Sequence, residues 1–552
     1  MSDGKTLKWI IKRSKSQNWK MVALIIANVL FSVLSVLFAF GIRAVIDGAV
    51  YKQEQKLLFG AIALAVIVVL QFAFRVFING MTEHIKAKLD MAYKSELFSS
   101  ILGKKYSATK SYHSGELLNR LSSDVSIITD GITGIVPTIA SAVARLASAV
   151  VALVILDWVF AIAFSVAGIL VFTVVGLLRG KLKSLHKKAQ ETDGKTRSFM
   201  QECIENLLAI KVFDTNAKIE RECDDLQKEN FRFRMKRKNY SVLGHASYNM
   251  IFSAGYLFAL IYGGIKIFKD IMGYGDLSAV LQLVNNVQVP FMSLSGILPK
   301  YFGMLASAER LMEIEDLPDE PEKTALDFKS IYQNTLKINF DGVSFTYDRD
   351  KVLDNTSFSI DKGDFVAITG ISGIGKSTLM KLMLGVYSVD EGEIYLDTAN
   401  GKVPLDNSTR GLFSYVPQGN MLFSGTLKDN VTFVNSNATD EQIKSALITS
   451  CADEFVSELP EGLNTVVGEK GVGLSEGQIQ RIAIARALLC DSPIVLLDEA
   501  TSALDEQTEL KLLNNLKGMR DVTLVIISHK KAALDICNKR VEIKNKKVKT
   551  AI

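Results

Sequence analysis

Three pairs of neighbouring residues in this chain have the types that phosphate chemistry needs: Lys376-Ser377, Asp498-Glu499 and Ser528-His529. An ammonium reaches across two phosphates, a hydroxyl and a carboxylate share a Mg²⁺, a second carboxylate polarises an attacking water, and an imidazole meets the terminal phosphate. Each pair closes a short apolar run: Asp364 to Thr369 before the first, Pro493-Ile-Val-Leu-Leu before the second, Thr523-Leu-Val-Ile-Ile before the third. Such runs read as strands buried on both faces, which deliver their last residues to one edge of a sheet.

The first pair sits in Gly370 to Thr378, G-I-S-G-I-G-K-S-T, between that strand and a helix-like run from Leu379. Gly370, Ser372, Gly373 and Gly375 let the backbone curl so that its N–H groups converge on a triphosphate, and the helix adds its positive end. Lys376 then reaches the β- and γ-phosphates, and Ser377, followed by Thr378, faces Mg²⁺. A glycine-rich turn of another α/β fold is the plain alternative; three strand ends in this order argue against it.

The 552 residues exceed what one core accommodates. Apolar content of 48% and 29 Phe are concentrated in the first 310 residues, whereas the rest has the mixed composition of an α/β domain. The net charge of +5 comes from Lys and Arg between apolar runs, which points to membrane topology and away from nucleic acid. Cys203, Cys223, Cys451, Cys490 and Cys537 are scattered without metal spacing and read as reduced cytosolic thiols.

Residues 1–20 are basic and partly amphipathic, suited to a helix on the inner membrane surface, and the run that follows is too long for a cleaved signal. Six runs are long enough to cross ~30 Å of hydrocarbon: Met21 to Ile42, Leu57 to Ile78, Ile135 to Leu156, Val159 to Leu178, Ala246 to Phe268 and Ser278 to Leu298. The loops after the second and fourth are long and basic, so both termini and these loops are expected in the cytoplasm. Each contains an expected short crosswise helix, one at Ser114 to Val125 and one around Glu202 to Phe213. Arg145 falls mid-span and Arg75 in the cytoplasmic half of its span, with no acid in any span as drawn. A water-filled cavity open to anionic or neutral guests suits them. Gln282, Asn285 and Asn286 share one face of the sixth span above Pro290, and His245, Tyr248 and Asn249 cluster at the inner end of the fifth. Interhelical hydrogen bonding and substrate lining are equally open for these uncharged groups.

Leu474-Ser-Glu-Gly-Gln478, between the phosphate loop and Asp498, resembles the signature of ABC-transporter ATPases. With it, nearly the whole chain is similar to an ABC half-transporter of the exporter (type IV) fold: a domain-swapped α-helical membrane domain of six transmembrane helices fused to an α/β P-loop ATPase. The resemblance implies a membrane domain at 21–315, a linker at 316–334 and a nucleotide-binding domain at 335–552. It implies that Tyr347 stacks on adenine, Gln418 senses Mg²⁺ and the γ-phosphate, and Asp498 joins Ser377 at the metal. Glu499 resembles the catalytic base and His529 the switch histidine. Ser475, Gly477 and Gln478 belong to the signature that closes over a partner's nucleotide, and Asp505 ends the D-loop. Gly468-Glu469 resembles an exporter-specific element, and the two loop segments resemble its coupling helices. Glu476 and Asn206 stand where glycine is usual, and the chain stops soon after Val541-Glu-Ile543. The implied activity is ATP-driven transport of a small molecule, peptide or lipid by alternating access, most simply export, with ATP and Mg²⁺ bound between two half-transporters in the plasma (inner) membrane; the pair is a homodimer or a heterodimer, and Glu476, which would face the partner's nucleotide, leans toward the unequal pair. An importer of the same fold or an ATP-gated channel would share these motifs. Processing of a leader peptide is not expected.

Overall fold

The computed structural model describes residues 3–347, 350–419, 422–468, 471, 473–519 and 521–551. The chain divides into two compact units, one of Met1–Ser100 with Ser114–Asp316, the other of Ile101–His113 with Leu317–Ile552.

The first unit is helical throughout. Its elements are α1 (Asp3–Ser14), α2 (Asn18–Val50), α3 (Glu54–Leu102), which ends in the other unit, α4 (Tyr106–Thr109), also there, and α5 (Ser114–Asn119). A π turn at Arg120–Asp124 joins α5 to α6 (Val125–Leu156), followed by α7 (Trp158–Glu205), α8 (Leu207–Val212), α9 (Asn216–Phe268), α10 (Tyr274–Ser295) and α11 (Ile297–Glu315). Its core is small and tight: Val36, Ala39, Ala149, Leu153, Phe160, Phe164, Phe252 and Ala259 pack against Leu283 and Val287 of α10. Elsewhere the apolar side chains face outward, as with Phe59, Val69 and Phe72 on α3. Outward-facing apolar side chains along helices of this length are what a lipid solvent favours.

Among the described residues, five helical stretches are long and apolar enough to cross a membrane, and they contain the first five expected spans. The sixth expected span falls on α10, whose 22 residues include Gln282, Asn285, Asn286 and Gln288, and it overruns the break at Gly296. The helix continues through Pro290 and stops at Gly296 instead. The membrane helices also run well past the expected span ends, α7 by 27 residues beyond Leu178 to Glu205. The first crosswise helix is not at Ser114 to Val125. There the chain is already climbing into α6, because Arg120 and Asp124 are buried against α11. The break comes earlier, where Lys105 leaves helical dihedrals and its N–H bonds Pro318 O at 3.0 Å, leaving α4 as the short helix. The second expected stretch holds the short helix α8, with Leu208 and Phe213 exposed.

Nor does α1 simply lie on lipid. Ile10 is buried, the Trp9 indole donates to Glu315 Oε2 at 2.9 Å, and Arg13 pairs with Glu96 at 3.0 Å and with Glu315. The basic helix therefore grips α3 and the last turn of α11.

The second unit continues with α12 (Phe328–Asn334), β1 (Thr335–Tyr347), β2 (Asp350–Asp361), β3 (Phe365–Thr369), α13 (Lys376–Met383), β4 (Glu391–Thr398), β5 (Gly401–Pro404) and β6 (Phe413–Val416). Then come β7 (Gly425–Thr426), α14 (Leu427–Val431), α15 (Asp440–Thr449), α16 (Asp453–Glu458), β8 (Val466–Val467), α17 (Glu476–Leu488) and β9 (Ile494–Asp498). It ends with α18 (Glu506–Lys517), β10 (Thr523–Ile527), α19 (Lys531–Ile536), β11 (Lys539–Lys544) and β12 (Lys547–Ala551). The six-stranded sheet runs β12-β11-β3-β10-β9-β6, parallel except at β12, and a four-stranded antiparallel sheet runs β2-β1-β4-β5. All five residues of β9 and of β10 are buried, as the apolar runs require. Because β3, β10 and β9 are adjacent and parallel, the three chemical pairs emerge along one edge. The five cysteines are free.

Candidate nucleotide site

The loop after β3 holds Gly370, Gly373 and Gly375 at φ +146°, +79° and +110°, values that disfavour any side chain. A Cβ on Gly375 would lie 2.2 Å from Val352 Cγ1, and one on Gly370 2.8 Å from the Ile543 carbonyl. The loop is thus a cradle that only glycine fits, and it opens on the N-terminus of α13. Ser372 is exposed at its rim, while Lys376 is buried and donates from Nζ to the carbonyls of Gly370 at 2.9 Å and Ile371 at 3.2 Å.

Ser377 Oγ donates to Asp498 Oδ1 at 2.8 Å, and the Tyr415 hydroxyl donates to Oδ2 at 3.1 Å. Burial pushes the Asp498 carboxyl above the usual carboxylate range, against the pull of these two donors. Burial likewise raises the Tyr415 phenol, with the neighbouring carboxylate adding to it. A hydroxyl oxygen and a buried carboxylate side by side form the hard oxygen pair that suits Mg²⁺. Gln418 Nε2 donates to Glu499 Oε2 at 2.6 Å. Glu499 holds φ +53°, a conformation non-glycine residues adopt at a cost, and its N–H donates to Ile527 O at 3.2 Å. His529 is exposed just past the end of β10. Thr378 Oγ1 lies 3.5 Å from the Tyr347 hydroxyl, and that ring meets Phe345 and Tyr387 edge-on at 4.8 Å and 5.2 Å.

The signature residues form a second group around the N-terminus of α17. Ser475 caps the helix by accepting from Gln478 N at 3.3 Å, and Gln478 Oε1 accepts from Ser475 N at 2.9 Å. A Cβ on Gly477 would approach Ala503 O to 2.9 Å, so glycine is needed there for the loop after β9 to pass. Gln480 ties the two by donating to Ser502 Oγ at 3.0 Å and accepting from Ala503 N at 3.1 Å. Glu476 is exposed in the first helical turn, where a negative charge stabilises the helix. Its carboxylate thus has a local structural reason. Asp505 caps α18, and both its oxygens bond Thr508, which holds its carboxyl below the usual range. It is thereby tied to the first turn of its own helix. Gly468 is described, and Glu469 lies outside the described residues.

Two contributors were not read from the sequence. Tyr415 was hidden in a strand-like alternation that reads as core. Lys530 donates to Thr501 O at 2.9 Å and to Leu504 O, fastening the strand end after His529 to the loop after β9; its place beside His529 was the available signal.

In the first unit the polar candidates are dispersed. Arg145 donates to Ser35 Oγ at 3.2 Å, and Asn286 is buried with its amide on Ser35 O at 3.1 Å. The Tyr248 hydroxyl bonds Gln288 O at 2.7 Å. Arg75 lies over the Phe31 ring at 5.8 Å. Gln282 is half-buried, whereas His245, Asn249 and Asn285 are exposed. The expected polar face of α10 is therefore split: Asn286 serves helix packing and Asn285 does not.

Residues 21–291 match the family model of the ABC transporter transmembrane region, and residues 353–502 match that of the ABC transporter. A Rickettsia bellii protein named as an export ATP-binding/permease protein is 30% identical over 87% of this chain and 83% of its own length. The chain belongs to the ABC transporter family. An ATP-dependent lipid A-core flippase of Idiomarina loihiensis is 26% identical over 96% of the chain and 91% of its own length. The solved structure of a bacterial Atm1-family ABC exporter with ATP bound matches with a TM-score of 0.81 at 22% identity, covering 97% of this chain and 95% of that one. Its fold is the one described above. This ABC transporter is an integral membrane protein that hydrolyses ATP, a fused half-transporter of the kind that dimerises.

Proposed function

We propose that two copies of this chain form an exporter in the plasma membrane, with the ATPase units in the cytoplasm, driven by ATP bound between the P-loop of one copy and the signature of the other. The observation that carries this is the pairing of Ser377 with Asp498 beside the Gln418–Glu499 hydrogen bond, at the mouth of a glycine cradle. One chain holds both complete halves of the site, so a symmetric pair has two complete sites. The domain boundaries we propose are 21–315 for the membrane domain, 316–334 for the linker and 335–552 for the ATPase.

Lys376 exchanges the carbonyls of Gly370 and Ile371 for phosphate oxygens. Ser377 and Asp498 would hold Mg²⁺, which when bound neutralises developing phosphate charge. Glu499, held by Gln418, orients and deprotonates the attacking water; His529 steadies the terminal phosphate, and Tyr347 offers its ring to adenine. Ser475 and Gly477 close the site from the other copy, and Gln478 and Asp505 hold the frames that present them. Closure moves the membrane helices through α4 and α8, and hydrolysis releases it.

For the cargo, Arg145 carries the reading: among the described residues its guanidinium has one hydrogen-bond partner, Ser35. An uncompensated guanidinium within a span favours an amphiphile bearing an anionic group, and the relatives named lipid A-core flippases make lipid-like anions the first class to test. Arg75, His245, Asn249, Gln282 and Asn285 are further cavity candidates, whereas Asn286 is placed with packing. ATP-dependent accumulation of labelled anionic amphiphiles in inside-out vesicles tests the whole reading. Accumulation is expected with wild type and not with Glu499→Gln, and Arg145→Ala should weaken uptake of anionic cargo alone. Accumulation in right-side-out vesicles instead would make the chain an importer.

A further inference from the structure

We propose that α7 and α9 together carry a basic collar that binds the headgroups of anionic phospholipids in the inner leaflet. Residues 179–188 hold five Lys or Arg, residues 232–238 hold five more, and no Asp or Glu occurs in 179–190 or 230–246. The two stretches lie side by side. Asn230 donates to Ala189 O at 2.9 Å, Arg237 contacts His186 Nδ1 at 2.9 Å, and Lys188 and Lys236 flank the Phe233 ring at 5.7 Å and 6.0 Å.

The same register fixes the height of the collar. Leu178 Cδ1 lies 3.2 Å from where a Cβ of Gly244 would be, so the apolar run that ends at Leu178 and the one that begins at Ala246 stop at one level. At 1.5 Å per residue, Lys181 is about 4.5 Å beyond that level, Lys238 about 12 Å and Lys188 about 15 Å. The headgroup layer is roughly 5–8 Å deep on each side, and its potential extends about another 8 Å at physiological salt. Residues 181–188 and 236–238 fall in that zone, while Arg234 and Arg232, about 18 Å and about 21 Å out, lie just past it, and long side chains can reach back toward it.

The charge is available. Lys181, Lys187, Lys188, Arg234, Lys236 and Lys238 are exposed, and among the described residues the collar's carboxylate contact is Lys187 with Glu191 at 3.7 Å. The matching stretch of α3 is built differently. Between Glu83 and Glu96 three lysines meet three carboxylates, Lys86 pairs with Asp130 at 2.6 Å and Lys94 with Asp90 at 2.7 Å. Cytoplasmic placement alone therefore does not explain ten cations without an acid. Repulsion among them is relieved by an anionic surface, and each is worth about fivefold in affinity near one.

Native mass spectrometry of the full-length dimer, equilibrated with equal amounts of phosphatidylglycerol and phosphatidylcholine, tests this. Wild type should retain phosphatidylglycerol preferentially, and K187Q/K188Q/K236Q/K238Q should lose about tenfold or more of that preference. High salt should abolish the difference. If the fourfold variant does not fold, K187Q/K188Q and K236Q/K238Q separately should each lose part. An unchanged preference overturns the proposal, as does a variant that falls to monomers with retention per chain unaltered, since the surface would then be an interface between copies.

Discussion

The ATPase unit and the membrane unit treat their polar residues in opposite ways. In the ATPase unit, residues from three separate stretches converge: Ser377, Tyr415, Gln418, Asp498 and Glu499 are joined in two short hydrogen-bonded chains at one sheet edge. In the membrane unit, Arg145, Asn286 and Tyr248 are each tied to a neighbouring helix, and the rest stand apart. The difference teaches that parallel strands fix the position of their last residue, so chemistry at strand ends is assembled within one chain. A helix only presents a face, and what that face meets is set by packing, lipid or a second copy.

The largest effect that would sharpen this contrast is at Gly375. Gly375→Ala places a methyl against Val352 at a φ that alanine resists, so ATP binding measured by a fluorescent analogue should be lost altogether. Retained binding would mean that the cradle is not fixed by backbone. Next comes a buried ion pair of the membrane unit, where Asp124, 1% exposed, accepts from Arg310 Nε at 2.8 Å and Ser307 Oγ at 2.9 Å. Asp124→Asn should cost roughly 3 kcal/mol, reduced toward 1–2 because Arg310 is partly solvated, and is read as a lower melting temperature.

Asp498 separates stability from function. Its folded pKa is raised, so protonation stabilises the fold below the ordinary carboxylate pKa, and that stability is lost as pH rises through the folded value. At neutral pH the buried charge is a cost in the nucleotide-free protein. Asp498→Asn should therefore melt a few degrees above wild type at pH 7, with the gap closing toward about pH 4, and should hydrolyse no ATP. A lower melting point at pH 7 would contradict the burial account. The smallest effect is Asn286→Ala, about 0.6 kcal/mol for one interhelical hydrogen bond. Asn285→Ala should change stability not at all, and equal losses would show that the two face the same surroundings.

The contrast also explains what could be read beforehand. The glycine cradle, the strand ends and the signature are local in sequence, and each depends on backbone geometry that a few residue types dictate. Candidate site residues can therefore be named from the sequence, although Tyr415 sits in an ordinary strand pattern and Asp505 caps its own helix. Five of the six apolar runs fall on long apolar helices, but their ends are not marked, because α3, α7 and α9 continue as helices rich in charged residues past the apolar stretch. The first crosswise helix was misplaced for a related reason. Ser114 to Val125 has the right periodicity, and only the burial of Arg120 and Asp124 against α11, some 190 residues away, keeps it in line with α6. Glu476, which stands where glycine is usual, also suits the first turn of its helix.

The central claim is that each ATP site is shared between two copies, and mixing two inactive variants tests it most directly. Lys376→Ala removes the phosphate cation, while Ser475→Asp keeps the α17 cap and sets a negative charge against the triphosphate. Each variant alone should be inactive. Dimers formed by co-expressing the two contain one intact site, from the P-loop of one copy and the signature of the other, so ATP hydrolysis should return to as much as about half of wild type per mixed dimer. Mixed dimers that form and stay inactive would contradict the shared site.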